Sequence, residues 1–412
     1  LTGIPLQPWD WLTNGDPLVT TPFINGLLTW TGISGIFAFF ISDIALRYRK
    51  PSSTAFAPRW DRRMLWGGVS LLLLLSLYVE GTFTLKRIAH VQNINWDQSE
   101  NVSTNGLLLT TVMNTRYIVI DKPAPYNESI IRALAGAASP SVAHTNEVKP
   151  TIIVVLSESF WDPTQIKGLT FSRDPIPFFH SLSSQYSSGT LLSPQYGGGT
   201  ANVEFEVLTG NSMRFLPEGS IPYNQYVNRD IDSLAGILAR QGYDTTAISP
   251  FYSWFFNSKD VYKRLGFSRY ISEEFFERDF EGPYLADRSV AKQIIQTSES
   301  SPGPDFIFAS TMENHSEYSP GKFKENTVNI TGVAGESKGM LETLAQGLTG
   351  ADAMLQSLVE HYKHSSEPTI IVFFGDHLPK LGNGYQAYRD SGYLQQNDPD
   401  FVNKMYRVPV VF

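Results

Sequence analysis

"TIIVVLSESFWD", residues 151–162, opens with an unbroken aliphatic and β-branched run and then turns abruptly polar. A strand without polar alternation needs apolar cover on both faces, as the central strand of a parallel sheet has. Its neighbours are found further along the chain. "RDIDSLAGILARQGY", residues 229–243, reads as an amphipathic helix ending at Gly242, followed by a short strand from Thr245 to Ile248. "DFIFAS" (305–310) and "TIIVFFG" (369–375) are two more buried-strand runs, separated by a helical stretch over about 337–362, and "YRVPVVF" (406–412) is a further strand signal. Alternation of this kind specifies an α/β sheet with flanking helices. In such sheets ligands bind beyond the carboxyl ends of the strands, so the residues just past each run carry the chemistry.

Those residues are a coherent set. Glu158 follows the first strand, His315 lies in "TMENHSEY" (311–318) after the strand at 305–310, and Asp376 and His377 lie in "GDHLP" (375–379) after the strand at 369–375. A single Glu or His at a strand end is most often a cap or a surface residue. Their joint occurrence points instead to a divalent cation held by Glu158, Asp376 and His377, with a coordination position left for a nucleophile or substrate oxygen. The nucleophile is read from "SPQYGGGTANVEFEVLTG" (193–210). Gly197, Gly198 and Gly199 let the backbone turn tightly and present Thr200 at a helix N-terminus, where the helix dipole favours an alkoxide and a bound phosphate alike. The plain alternative is a glycine-rich loop whose threonine only caps the helix. Glu204, four residues on, is expected on the same helix face, oriented to Thr200.

Composition bounds the rest. The 412 residues include no cysteine and seven histidines, which excludes disulfides, zinc ribbons and thiol catalysis and leaves oxygen and imidazole as metal ligands. A net charge of −8 argues against a nucleic-acid partner. Residues 21–46 and 64–79 are candidate membrane spans, the second one short. Arg47, Arg49, Lys50, Arg59, Arg62 and Arg63 between them place that loop in the cytoplasm and everything after residue 79 outside. The chain opens without a basic n-region or a cleavage site, as if earlier spans preceded it. The expected organisation is a membrane region over 1–81, juxtamembrane amphipathic helices and a small-residue linker over 82–150, and an extracytoplasmic catalytic domain over 151–412.

Taken in order, "SESF", "GGGTANVEFEVLTG", "MENHSEY" and "FFGDHLP", together with "MRFLPEGSIPYNQYV", resemble the lipoteichoic acid synthase and membrane phosphoglycerol transferase family of the alkaline phosphatase and sulfatase superfamily. The resemblance covers most of the chain from Thr151 onward. It implies an alkaline phosphatase/sulfatase-like sheet preceded by transmembrane helices in the bacterial cell membrane. It also implies a Mn2+ or Mg2+ ion on Glu158, Thr200, Asp376 and His377, with Thr200 attacking phosphatidylglycerol to give a glycerophospho-threonine. A hydroxyl of a polymer or glycan would then accept the glycerophosphate, with His315 beside the transferred group. Two positions depart from the family: Ser249 stands where relatives commonly carry His, and Ser258 where they carry Arg, a residue that grips phosphate bidentately. Lys259 and Trp254, with Phe255 and Phe256, are the neighbouring candidates for holding the headgroup. A phosphoethanolamine transferase or a phosphodiesterase of the same superfamily is the alternative, and a non-catalytic relative the third reading. Sulfate ester hydrolysis is disfavoured, because the chain has no cysteine and no matching serine motif for conversion to formylglycine. The family continues past the final strand signal, so the expected catalytic domain is C-terminally incomplete.

Overall fold

A computed structural model describes residues 91–92, 98–114, 127–137 and 148–412, apart from 218. Both candidate spans, the basic loop between them and most of the linker lie outside the described residues. Among the described residues no helix is long and apolar enough to cross a membrane. Three helices, Gln98–Asn105, Leu107–Asn114 and Glu128–Ala137, fall within the stretch expected to hold juxtamembrane helices. Residues 132–215 and 221–412 form one compact unit, and the site lies within it.

That unit is built on a seven-stranded sheet: β1 (Thr151–Ser157), β2 (Ser188–Leu192), β3 (Asp244–Ile248), β4 (Arg269–Ile271), β5 (Asp305–Ser310), β6 (Thr369–Gly375) and β7 (Arg407–Val411), in spatial order β2-β7-β6-β1-β5-β3-β4. β1 sits in the middle, as its two-sided apolar run requires, and pairs in parallel with β6 and β5. β7 runs antiparallel to both β6 and β2. Ser157 is level with Gly375, and Leu156 with Ser310, so the strands end together and Glu158, Asp376 and Thr311 emerge side by side.

The strand period of two sends Ile153, Val155, Ile307, Ala309 and Phe373 to one face of the sheet. There they meet α1 (Pro177–Gln185), α5 (Asp287–Glu299) and the long α6 (Gly335–Lys363), whose Leu341, Leu344, Leu348, Ala351, Leu355 and Leu358 make one apolar stripe at helical spacing. Phe160 packs edge-on against Phe373 and Phe179, with ring centroids 4.9 and 5.1 Å apart. Phe306 and Phe308 face the other way, onto Phe267 with ring centroids 5.8 and 6.5 Å away. Each such buried side chain stabilises the fold by about 1.5–3 kcal/mol.

Several elements differ from expectation; β4, α1 and α5 lie outside the elements expected from the sequence. The helix expected over 229–242 is confined to α3 (Leu234–Arg240), because Ser233 caps it by accepting from the Gly236 amide and holds the preceding residues extended. β2 was not anticipated: all five of its residues are exposed at the sheet edge, so its sequence carries no burial pattern.

Candidate active site

Four groups converge beyond the β1 and β6 ends. The Thr200 Oγ1 hydroxyl donates to Asp376 Oδ2 at 2.9 Å and lies 3.4 Å from Glu158 Oε2. His377 Nε2 lies 3.2 Å from Asp376 Oδ2 and 3.7 Å from Glu158 Oε1. Glu158, Asp376 and His377 are buried, and one ligand atom from each falls within 4.8 Å of the others. Ser159 and His377 hold the carboxylates: their amides each donate to Asp376 Oδ1 at 2.7 Å, and the Ser159 hydroxyl donates to Glu158 Oε1 at 2.9 Å. Ser159 adopts a φ of 51°, left-handed and costly for a side-chain residue, so its bonds to the two carboxylates hold a strained turn in place. Burial, reinforced by the Glu158 carboxylate, pushes Asp376 up to about 7.

The triple glycine has a backbone reason. Gly197, Gly198 and Gly199 have φ values of 67°, 149° and 87°, a succession that side-chain residues rarely adopt. Gly197 is pinned by its amide to the Leu378 carbonyl at 2.9 Å, and a Cβ there would meet the Lys380 Cβ at 2.8 Å. The loop is thus tied to the segment that carries Asp376 and His377, and α2 (Thr200–Thr209) starts at Thr200. Glu204 lies one helical turn on but does not bond to Thr200. It is buried, accepts from the hydroxyl of Tyr262 on α4 (Ser258–Arg264) at 2.8 Å, and is pushed by burial to about 7. The expectation that Glu204 orients Thr200 is corrected accordingly: the Glu158 and Asp376 carboxylates do so from across the sheet end.

His315 lies in the turn after β5, its Nδ1 within 3.2 Å of the Tyr284 hydroxyl and 3.1 Å of the Ser316 carbonyl. Its Nε2 has no hydrogen-bond partner among the described residues. Ser249 and Ser258 both lie beside the Tyr270 hydroxyl, and Ser258 Oγ donates to the Phe255 carbonyl at 2.6 Å. Lys259 and Trp254 are exposed, Trp254 stacked on Tyr252 with ring centroids 5.6 Å apart. Sequence reasoning missed Tyr270, Tyr284 and Lys322. Each sits in a loop or short strand whose local pattern is ordinary, and only the tertiary fold brings it to the site.

The residues fit a divalent ion. His377 Nδ1 lies 3.1 Å from the Leu378 carbonyl, which fixes the tautomer, while the buried Nε2 has no hydrogen-bond partner and faces two carboxylates. Two carboxylates, one imidazole and a hydroxyl make an oxygen-rich donor set of the kind that divalent ions take.

Residues 150–412 match the sulfatase family. The chain belongs to that family. In this sulfatase-family chain the residue hydrogen-bonded to Asp376 at the start of α2 is a threonine. A Rhizobium meliloti (strain 1021) protein described as a cyclic beta-1,2-glucan modification protein is 35% identical over 402 residues, 95% of this chain and 61% of that protein. The capsular polysaccharide biosynthesis protein RkpI of the same organism is 28% identical over 257 residues, 60% of this chain and 44% of RkpI. The chain therefore spans about three fifths or less of the length of these relatives. Among solved structures, the Streptococcus pyogenes phosphoglycerol transferase GacH in complex with sn-glycerol-1-phosphate has the same fold, with a TM-score of 0.58 at 24% identity over 71% of this chain and 76% of GacH. The lipoteichoic acid synthase LtaP of Listeria monocytogenes gives 0.52 at 18% identity over 64% of each chain.

Proposed function

We propose that this chain carries the catalytic domain of a membrane-anchored transferase that moves glycerophosphate from phosphatidylglycerol to a hydroxyl of a glycan or polymer through Thr200. The observation that carries the reading is the Thr200 hydroxyl, 2.9 Å from Asp376 and at the start of a helix, among two buried carboxylates and an imidazole with an unpartnered nitrogen. A relative described as modifying a glucan and a shared fold with a phosphoglycerol transferase support the acceptor and donor classes.

In this reading a divalent Mn2+ or Mg2+ ion held by Glu158, Asp376, His377 and Thr200 would lower the hydroxyl pKa and polarise the attacked phosphoryl group. Asp376 Oδ2 is placed to take the Thr200 proton as Oγ1 bonds to phosphorus. The bond from phosphorus to the diacylglycerol oxygen breaks, and His315 Nε2 protonates the departing alcohol. An acceptor hydroxyl then displaces Thr200 from phosphorus in the reverse sense. The catalytic domain would lie outside the cell membrane, where both lipid and glycan are available.

Quenching the enzyme with donor lipid and mapping its peptides by mass spectrometry is expected to find glycerophosphate on Thr200. Thr200→Ala abolishes transfer, and Thr200→Ser retains part of it. Ethanolamine phosphate on Thr200 would shift the donor assignment to a phosphoethanolamine lipid, and normal transfer by Thr200→Ala would overturn the mechanism. The same preparation is expected to lose about 5–10 °C in Tm on chelation, a shift that His377→Ala removes, since an ion at a hundred times its Kd stabilises by about 2.7 kcal/mol.

A further inference from the structure

Lys322 follows His315 in the long loop between β5 and α6, and its ammonium is placed with unusual care. Nζ donates to the His315 carbonyl and lies 5.0, 5.1 and 5.9 Å from the centroids of Phe323, Tyr318 and Tyr284. Phe323 and Tyr318 are themselves buried. The loop is held against the turn of the 280–285 hairpin, where a Cβ on Gly282 would meet the Lys322 carbonyl oxygen at 2.6 Å. Three aromatic faces stabilise a cation there but do not neutralise it. No carboxylate lies within ion-pair distance of Nζ among the described residues, although Glu158, Glu313 and Asp287 all act on it electrostatically. A largely desolvated ammonium without an ion pair is costly to keep unless a ligand uses it.

The site has a use for that charge. Glu158 and Asp376 together balance a divalent ion, which leaves the negative charge of a phosphodiester uncompensated, and neither Ser249 nor Ser258 carries charge. We propose that Lys322 supplies the positive charge that holds the phosphoryl group of the donor at Thr200, from the wall formed by His315 and Tyr284. The inference rests on the phosphoryl-transfer reading above, and it extends to any ligand that presents a phosphate ester, a lipid headgroup or a free glycerophosphate.

Burial lowers the Lys322 ammonium to about 8, with Glu158, Glu313 and Asp287 opposing the shift; Tyr284, Tyr318 and His315 are the remaining titratable groups around it. Below that value the charge is present, and it is lost as pH rises.

The test uses the full-length enzyme with its metal, comparing Lys322→Met and Lys322→Arg with wild type. Inhibition by sn-glycerol phosphate measures the free ester, and KM for phosphatidylglycerol in vesicles measures the lipid. Lys322→Met is expected to weaken both by about ten- to a hundredfold, the range for one charge-assisted bond, with a smaller change in kcat. Lys322→Arg is expected to stay within a few-fold of wild type and to keep its affinity at pH 9, where wild type loses it. Weakening of the free ester alone would assign Lys322 to a soluble phosphate ester instead of the lipid. Unchanged affinity for both ligands in Lys322→Met overturns the proposal and leaves Lys322 as a clamp on the His315 loop. If glycerophosphate inhibition depends on Lys322 while Thr200 never becomes modified, the phosphate site stands and the transfer reading falls.

Discussion

Glu204 is the residue whose surroundings are least matched to its usual state. It lies on the buried face of α2, accepts from Tyr262, and is pushed up to about 7 because burial disfavours its charge, against an ordinary value of 4.5. For an acid whose folded pKa is raised, the folded state holds the proton more tightly than the unfolded one. The stability contribution is therefore fully present below about 4.5 and lost as pH rises through about 7. Glu204→Gln keeps an acceptor for Tyr262 and removes the ionisation. It is expected to flatten the pH dependence of stability between those limits and to gain up to roughly 3 kcal/mol at pH 8, read as a shift in urea midpoint. An unchanged pH dependence would mean that Glu204 is charged and paired in the folded protein. Ser159 shows the opposite economy: its strain is held by the two carboxylates it bonds, so the geometry of Glu158 and Asp376 is fixed from one backbone position.

At the scale of elements, the glycine loop and the long helix set the distances. Gly198 has open space where a Cβ would go, so Gly198→Ala bears only the backbone cost of a side chain at a φ of 149°, about 1–3 kcal/mol. Gly197→Ala adds a collision with Lys380 on the segment that carries Asp376 and His377, and is expected to be the more damaging change for both urea midpoint and transfer rate. Equal effects of the two would show that the loop is not held against that segment. α6 carries the same logic in a less obvious place. A Cβ at Gly350 would meet Glu313 Oε1 at 2.1 Å, so the helix surrenders helical propensity to let the turn before His315 lie against it. Glu313 in turn accepts from the Asp287 amide at 2.8 Å, which ties the start of α5 to that turn.

For the whole molecule, the proposed arrangement is a catalytic domain displayed outside a membrane by spans in residues 1–81. A cysteine-free chain makes this directly testable, because every introduced cysteine is unique. A cysteine at Ser53 is expected to be shielded from an impermeant maleimide in intact cells, and one at Ala143 to react. The reverse pattern would invert the topology and place Thr200 in the cytoplasm.

Much of this organisation was legible before any coordinates. Short unbroken apolar runs bounded by polar turns are what central parallel strands need, and the runs at 151–156, 305–310 and 369–375 match β1, β5 and β6 to within a residue of their ends. Parallel strands that end level must deliver their next residues to one place, which is why Glu158, Asp376 and His377 were found together. Gly197 to Gly199 announced Thr200 because few other sequences tolerate that backbone. What sequence could not convey depends on contacts between distant segments. Glu204 has the right helical spacing to face Thr200, yet Tyr262 captures it from another helix. β2 exists only because β7 offers it an edge to pair with. The ammonium of Lys322 looks like one more surface charge in a polar loop until folding packs three aromatic rings around it. Periodicity and backbone restriction are properties of a chain segment and can be read from it, whereas burial, partner choice and desolvation are properties of what folds over that segment, and only the tertiary structure decides them.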